Sequence, residues 1–281
     1  MIPYPDLNPV ALSLGEIDLP LLGLVHLHTG WINLASVLGF AVTWALVRWR
    51  ASRPASTWTP TEADELIPFA LLGALIGSRL GWCLTYGWDY FSDDPLMLFR
   101  LWEGGQSFHG ALFGAMFAMA RCARRIGRSS AEAFDFLAPL TAPAIFIVHI
   151  GNFLQGEVWG KPTEVPWGLV LYGVGRHPVQ LYQAALEGLV LFVVMWIFTS
   201  RPRPQLAPAG LFLVLCGVLR FGVEFFRLPN PDIGYLAWDW LTMGQLLSIP
   251  VIAIGLAMMY FAYNRDKILS RIELEIKVEI S

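Results

Sequence analysis

The chain has 281 residues, of which 56% are hydrophobic and only 15% charged, with a formal net charge of −3. A soluble globular chain typically carries about 25% charged residues, and here the charges are gathered in short stretches between long apolar runs, which excludes a soluble all-helical protein. Cys83, Cys122 and Cys216 show no CxxC spacing, so neither a disulfide framework nor a zinc site is expected.

A helix that crosses the hydrocarbon of a bilayer needs roughly 20 apolar residues. In chain order, such runs fall at 22–47, 66–87, 108–122, 136–154, 180–199, 208–226 and 241–263, the third being the shortest. They predict an all-α integral membrane protein: a bundle of about seven transmembrane helices with a small periplasmic loop region, over 1–265. Residues 266–281 form a tail in which Ile272 to Ile280 alternate apolar and polar residues. That is a strand period, and a lone strand would need a partner or a membrane surface; a flexible tail is equally compatible.

Basic residues divide unequally between the connections. Arg48, Arg50, Arg53, Arg121, Arg124, Arg125, Arg128, Arg201, Arg203, Arg265, Lys267, Arg271 and Lys277 fall on one side, and Arg100, Lys161, Arg176 and Arg227 on the other. Cytoplasmic loops carry the excess of Lys and Arg, so the amino terminus is expected outside and the carboxy terminus in the cytoplasm. The outside loops hold many aromatics, including Trp88, Trp102, Trp159, Trp167 and Trp238, as an interfacial belt does.

Charges inside spans are costly and tend to face a partner or a cavity. Arg79 lies in GALIGSRLGW, Glu187 in LYQAALEGLVLF, and Arg220 and Glu224 in GVLRFGVEFFR. Arg220 and Glu224 are four apart, on one helical face, and Arg227 follows on the same face. Glu187, taken alone, reads as a charge that fixes helix packing. The inner halves of the runs stay apolar, against the continuous polar path of a transporter or channel.

Polar groups gather where the spans reach the outer side. GGQSFHGALFG sets Gly104, Gly105, Ser107, His109 and Gly110 at the start of the third run. A helix start offers free N–H groups, and glycine lets a ligand approach the backbone. The fourth run ends in HIGNFLQGEVWGKP, with His149, Asn152, Gln155, Glu157 and Gly160, and RHPVQLYQ then supplies Arg176, His177, Gln180 and Tyr182. Cationic groups, amides and carboxylates converging in the outer half point to a phospholipid headgroup site, because arginine's planar fork suits phosphate. His26 and His28 are two apart and face different ways on a helix, so no metal site is expected there.

In their order and spacing, PYPDLNPVALSLG, GSRLGW, DPLMLFRLWEGGQSFHGALFG, GNFLQGEVWGKPT, RHPVQLYQAALEG, RFGVEFFRLPNPD and MGQLLSIP make the chain resemble bacterial prolipoprotein diacylglyceryl transferase over nearly its whole length. The resemblance implies a seven-helix, multi-pass protein of the bacterial inner membrane. It also implies transfer of a diacylglyceryl group from phosphatidylglycerol to the lipobox cysteine in the signal peptide of a prolipoprotein. Membrane lipids are the other expected partners; no cofactor and no nucleic acid are expected. Carried over by motif, His109, Arg220 and Glu224 are the catalytic candidates. His149, Asn152, Glu157, Gly160 and Arg227 are headgroup ligands, with Arg79, Arg176, Gly104, Gly105 and Ser107 as further members.

The chain departs from the family pattern at several positions. The pattern G-R-x-G-N-F-x-N-G-E has His149 for its Arg and Gln155 for its second Asn. A Tyr of the first span becomes Leu22, a Tyr one turn before Arg220 becomes Cys216, and L-Y-E becomes Leu181-Tyr182-Gln183. Histidine is only partly charged at neutral pH and is a weaker phosphate clamp than arginine. These departures leave three readings open: the family reaction, a relative with another donor or acceptor, and a non-catalytic lipid or lipoprotein binder.

Overall fold

The computed structural model describes all residues except 6, 20–22, 101–104, 232 and 281. The described chain runs β1 (Ile2–Pro3), β2 (Val10–Leu19), β3 (Gly23–Gly30), α1 (Trp31–Ala51), α2 (Pro60–Thr85), α3 (Trp88–Asp93) and a 3₁₀ turn (Pro95–Phe99). It continues with α4 (Phe108–Arg125), α5 (Ser130–Gln155), β4 (Leu169–Leu171) and β5 (Val174–Arg176). A broken helix follows as α6 (Val179–Gln183), a π turn (Ala184–Val190) and α7 (Leu191–Phe198), and then α8 (Ala207–Glu224) and α9 (Met243–Ile280).

Helix starts are written in the sequence as caps. Thr59 with Glu62, and Ser129 with Glu132, form capping boxes at α2 and α5, each closing two backbone donors that the first turn leaves open. Ser107 caps α4 through the Gly110 amide. Thr242 and Gln245 exchange the same pair of bonds at the start of α9. At the start of α8 the cap comes from another helix: Asp135 of α5 accepts from the Leu206 and Ala209 amides at 2.7 and 2.9 Å.

Six helical stretches are long and apolar enough to cross a membrane: Trp31–Ala51, Pro60–Thr85, Ser130–Gln155, Val179–Phe198, Ala207–Glu224 and Met243–Ile268. The third expected span, α4, is a helix of 18 residues, but Arg121, Arg124 and Arg125 in its last turns keep it outside this set.

Two expectations are corrected. The first apolar run is not helical from its start: Gly23–Gly30 is a strand paired antiparallel with β2. The Leu24-Val25-His26-Leu27-His28 stretch carries an alternation that suits a strand, and the 21 residues of α1 alone, at about 1.5 Å each, reach across a bilayer core. The tail is not a strand either, because α9 continues through it to Ile280. Extending a formed helix avoids the cost of a new nucleus, and Leu, Glu and Lys are good helix formers, whereas a lone strand would leave its backbone groups unpaired.

Small residues bring the spans together. A Cβ on Gly73 would lie 2.3 Å from the Gly114 carbonyl oxygen, one on Gly77 2.4 Å from the Gly110 oxygen, and one on Gly81 2.7 Å from the Gly110 Cα. This is a glycine seam four residues apart on both helices, which lets α2 and α4 pack backbone to backbone, antiparallel. Gly210 against Met259 and Gly217 against Ile252 do the same for α8 and α9, and Gly39 against Ala144 for α1 and α5. At one end of the bundle, then, α2, α5 and α8 finish and α1, α4, α6 and α9 begin. The opposite end carries the basic connections and their ion pairs, Arg48 with Asp64 and Arg128 with Glu62.

Candidate active site

Polar residues of α4, α5, the broken helix, α8 and the start of α9 meet at the end of the bundle where α8 finishes. Arg220 and Glu224 lie one turn apart on α8, with Arg220 Nη2 3.4 Å from Glu224 Oε2. Arg227, just past the helix, brings Nη1 to 3.8 Å from the same oxygen. On the other side of Arg220, Nη1 stands 3.8 Å from Glu187 Oε1, and Glu187 Oε2 is 3.6 Å from His149 Nε2 on α5. His149, Glu187, Arg220, Glu224 and Arg227 therefore form one chain of facing ionisable groups.

Neutral donors complete the two carboxylates. Gln183 Nε2 donates to Glu187 Oε1 at 3.2 Å, and Thr242 Oγ1 donates to Glu224 Oε1 at 3.2 Å. Gly244 leaves room for Glu224, since a Cβ there would sit 2.9 Å from the carboxyl carbon. The network is buried, with Glu187 2% and Arg220 8% exposed. Yet Arg220 Nε, Glu224 Oε2 and His149 Nδ1 are buried without a hydrogen-bond partner among the described residues. Buried polar atoms are normally satisfied, so these are groups a bound ligand or water would complete.

His109 enters from α4. It is buried, its Nε2 lies 3.3 Å from Ser248 Oγ of α9, and it is close enough to feel the charges of Arg220 and Glu187. Its position follows from the glycine seam, which draws the first turn of α4 against α2. Ser107 caps that turn. Tyr86, at the end of α2, lies within reach of the charges of Arg220, Glu224 and Arg227. Cys216 is buried on α8 one turn before Arg220.

Other sequence candidates stand around this chain rather than in it. Arg79 donates to the Met97 carbonyl at 3.1 and 2.7 Å and to the Gly105 carbonyl at 3.4 Å, and its guanidinium lies over Trp82. It braces the segment leading into α4. Gly105 has φ +72°, and a Cβ there would meet Trp82 at 2.7 Å, so this turn requires glycine. Gly104 and Leu22 lie outside the described residues.

The loop after α5 wraps the edge of the site. The Asn152 carbonyl accepts from the Glu157 amide at 3.2 Å, and the Glu157 carbonyl accepts from Gln180. Gly160 pairs with Arg227 as a β-bridge, and a Cβ on it would lie 2.5 Å from the His177 carbonyl. Arg176 Nη1 donates to the Gly160 carbonyl at 3.4 Å. Gly160 and Arg176 thus fix the backbone that carries Arg227. Nearby, His177 Nδ1 contacts the Tyr182 hydroxyl at 3.1 Å, and burial pushes this imidazole below its ordinary range.

Sequence reasoning misses Glu187 as a site member, together with Gln183, Thr242, Ser248 and Tyr86. The available signal for Glu187 is that Arg220 on the next span needs a second counter-charge; for Thr242 and Ser248 it is the polar spacing at the head of LTMGQLLSIP.

A model of the prolipoprotein diacylglyceryl transferase family matches residues 20–261. The chain is 44% identical over 270 residues to the phosphatidylglycerol–prolipoprotein diacylglyceryl transferase of Oleidesulfovibrio alaskensis, covering 95% of this chain and 97% of the relative. It is 45% identical over 261 residues to the enzyme of that name from Solidesulfovibrio magneticus, covering 91% and 95%. It is 42% identical over 269 residues to that of Pseudomonas aeruginosa, covering 95% and 97%. The chain belongs to the prolipoprotein diacylglyceryl transferase family.

Proposed function

We propose that this protein transfers the diacylglyceryl group of phosphatidylglycerol to the lipobox cysteine of prolipoprotein signal peptides, at the outer face of the bacterial inner membrane. The observation that carries this reading is the charged chain itself: Arg220 and Arg227, held by Glu187 and Glu224, stand beside His109 at one end of an otherwise apolar bundle. Relatives of nearly equal length and 42–45% identity bear this activity in their names, which favours the family reaction over a changed donor, a changed acceptor or a binder.

In the reaction, the cysteine sulfur attacks the glyceryl carbon bonded to the phosphate oxygen. A C–S bond forms, the C–O bond breaks, and glycerol phosphate leaves with the electron pair. Arg220 faces the charge that grows on the leaving phosphate, and a preorganised cation of this kind is worth about 10²–10³ in rate. Glu224 and Glu187 hold Arg220 in place. Arg227, at the rim, and His149, at the inner end, contact the headgroup. His109 takes the thiol proton. Asn152, Glu157 and Gly160 shape the rim, with Arg176, Arg79, Gly104, Gly105 and Ser107 supporting the loops and the start of α4.

The basic end of the bundle is the cytoplasmic one in this reading, with the amino terminus outside, following the positive-inside rule. The body over 1–265 holds the reaction, and the tail over 266–281 lies on the cytoplasmic side. α4 is the seventh crossing: its 18 residues span about 27 Å, and arginines at a helix end reach the interface by extending their side chains.

The test is purified protein in lipid nanodiscs, phosphatidylglycerol and a lipobox peptide, read by mass spectrometry for the diacylglyceryl thioether. The expected result is product from the native chain and a loss of about 10² or more with Arg220→Ala. Folded native protein that makes no thioether would overturn the reading.

A further inference from the structure

We infer that Ser248 is a positioning residue that fixes His109 in the tautomer protonated on Nε2, so that Nδ1 is the nitrogen that accepts the thiol proton. This rests on the reading of His109 as the base.

Ser248 is fully buried on the second turn of α9. Its hydroxyl lies 2.8 Å from the Gly244 carbonyl, to which it donates, and 3.3 Å from His109 Nε2. A serine hydroxyl has one proton to give. With that proton on the shorter contact to a carbonyl, which can only accept, the oxygen turns a lone pair toward Nε2. A neutral imidazole carries one N–H and one bare nitrogen, so Nε2 is the donor and Nδ1 the acceptor.

The placement of Ser248 is rigid. α9 packs tightly on α8 here, a Cβ on Gly217 lying 3.2 Å from the Ser248 carbonyl oxygen. The start of the same helix binds Glu224 through Thr242. One helix end therefore sets both the proton acceptor and the carboxylate that holds Arg220. In the step itself, the thiol S–H bond breaks and its proton goes to Nδ1, while the sulfur keeps the electron pair for attack on the glyceryl carbon. The resulting imidazolium retains its Nε2–H bond to Ser248 until Nδ1 returns the proton to the departing phosphate or to water.

The experiment uses the full chain in phosphatidylglycerol nanodiscs with ¹⁵N-labelled histidine, the His109 signals being identified by their loss in His109→Gln. The expected result is an Nε2–H tautomer for His109 in the native protein. Ser248→Ala should mix the tautomers and lower kcat about tenfold with KM nearly unchanged, as expected when one orienting hydrogen bond is lost. Ser248→Thr, which keeps the hydroxyl, should restore both. An Nδ1–H tautomer in the native protein, a measurement that needs no variant to fold, overturns the inference. So does a Ser248→Ala protein that retains the Nε2–H tautomer and full kcat. Full activity in His109→Gln, in contrast, would overturn the base assignment and with it the catalytic half of this inference, whichever tautomer is found.

Discussion

Arg220 of α8 and Glu187 of the π turn face each other at 3.8 Å across the bundle, and Glu187 turns its second oxygen to His149 at 3.6 Å. One buried carboxylate thus faces side chains from two other helices, Arg220 and His149. The π turn over Ala184–Val190 shifts the helical register at this point, and such turns frequently mark functional sites. Without Glu187, Arg220 would keep Glu224 as its carboxylate partner among the described residues.

Glu187→Gln should therefore lose both activity and stability. Removing one partner of a buried pair leaves the other charge uncompensated, at a cost of about 3–5 kcal/mol. The expected outcome is a lower unfolding temperature in detergent and a fall in kcat of about tenfold or more, since Arg220 is no longer held for the phosphate. Glu187→Asp, which keeps the charge, should recover most of the stability. A glutamine variant with native stability and native kcat would show that the contact has no role in either.

How far the sequence discloses this arrangement depends on the kind of interaction. Spans, caps and the unequal distribution of arginine are local or additive properties, so they can be read directly; Thr59 with Glu62 and Ser129 with Glu132 are examples. His109, Arg220 and Glu224 are legible because charged or ionisable groups near apolar runs call for partners. The identity of those partners is not local. Glu187 reads as a packing charge until the π turn rotates it toward Arg220, and Ser248 reads as a small polar residue until the α2–α4 seam brings His109 to it. The amino-terminal hairpin and the helical tail escape the reading because period alone does not reveal a neighbouring strand or a helix already under way.

The glycine seam gives a prediction about architecture. A Cβ on Gly114 would lie 2.1 Å from the Gly73 carbonyl oxygen, and one on Gly77 2.4 Å from that of Gly110. Backbone atoms cannot move aside as a side-chain end can, so Gly114→Val forces α4 away from α2. Overpacking of this kind costs about 1–3 kcal/mol. The variant should melt earlier and, because His109 rides on α4, lose kcat more than a variant at Phe117, which is 72% exposed. Equal behaviour of the two variants would count against the seam as the device that places His109.

His177 provides a pH dependence of stability. Burial lowers its pKa in the folded protein, so the unfolded chain binds a proton that the folded one resists. Its contribution is fully present above the unfolded pKa, near about 6.5, and is lost as pH falls through the folded value. The native protein should thus lose unfolding temperature between about pH 7.5 and pH 5, and His177→Phe should lose less over the same interval. Parallel curves for the two proteins would remove His177 from the account.

The last prediction concerns His149, which stands where the family pattern has arginine. Its Nε2 faces Glu187, its Nδ1 has no hydrogen-bond partner among the described residues, and Arg220 shares the same carboxylate. Arginine presents phosphate with a planar fork of donors, whereas an imidazole can point only one N–H at it. In the proposed headgroup role, His149→Arg should hold the donor more firmly and raise kcat/KM by up to about tenfold if one charge-assisted hydrogen bond to phosphate is at stake. An unchanged kcat/KM would mean that His149 serves Glu187 alone and takes no part in holding the donor.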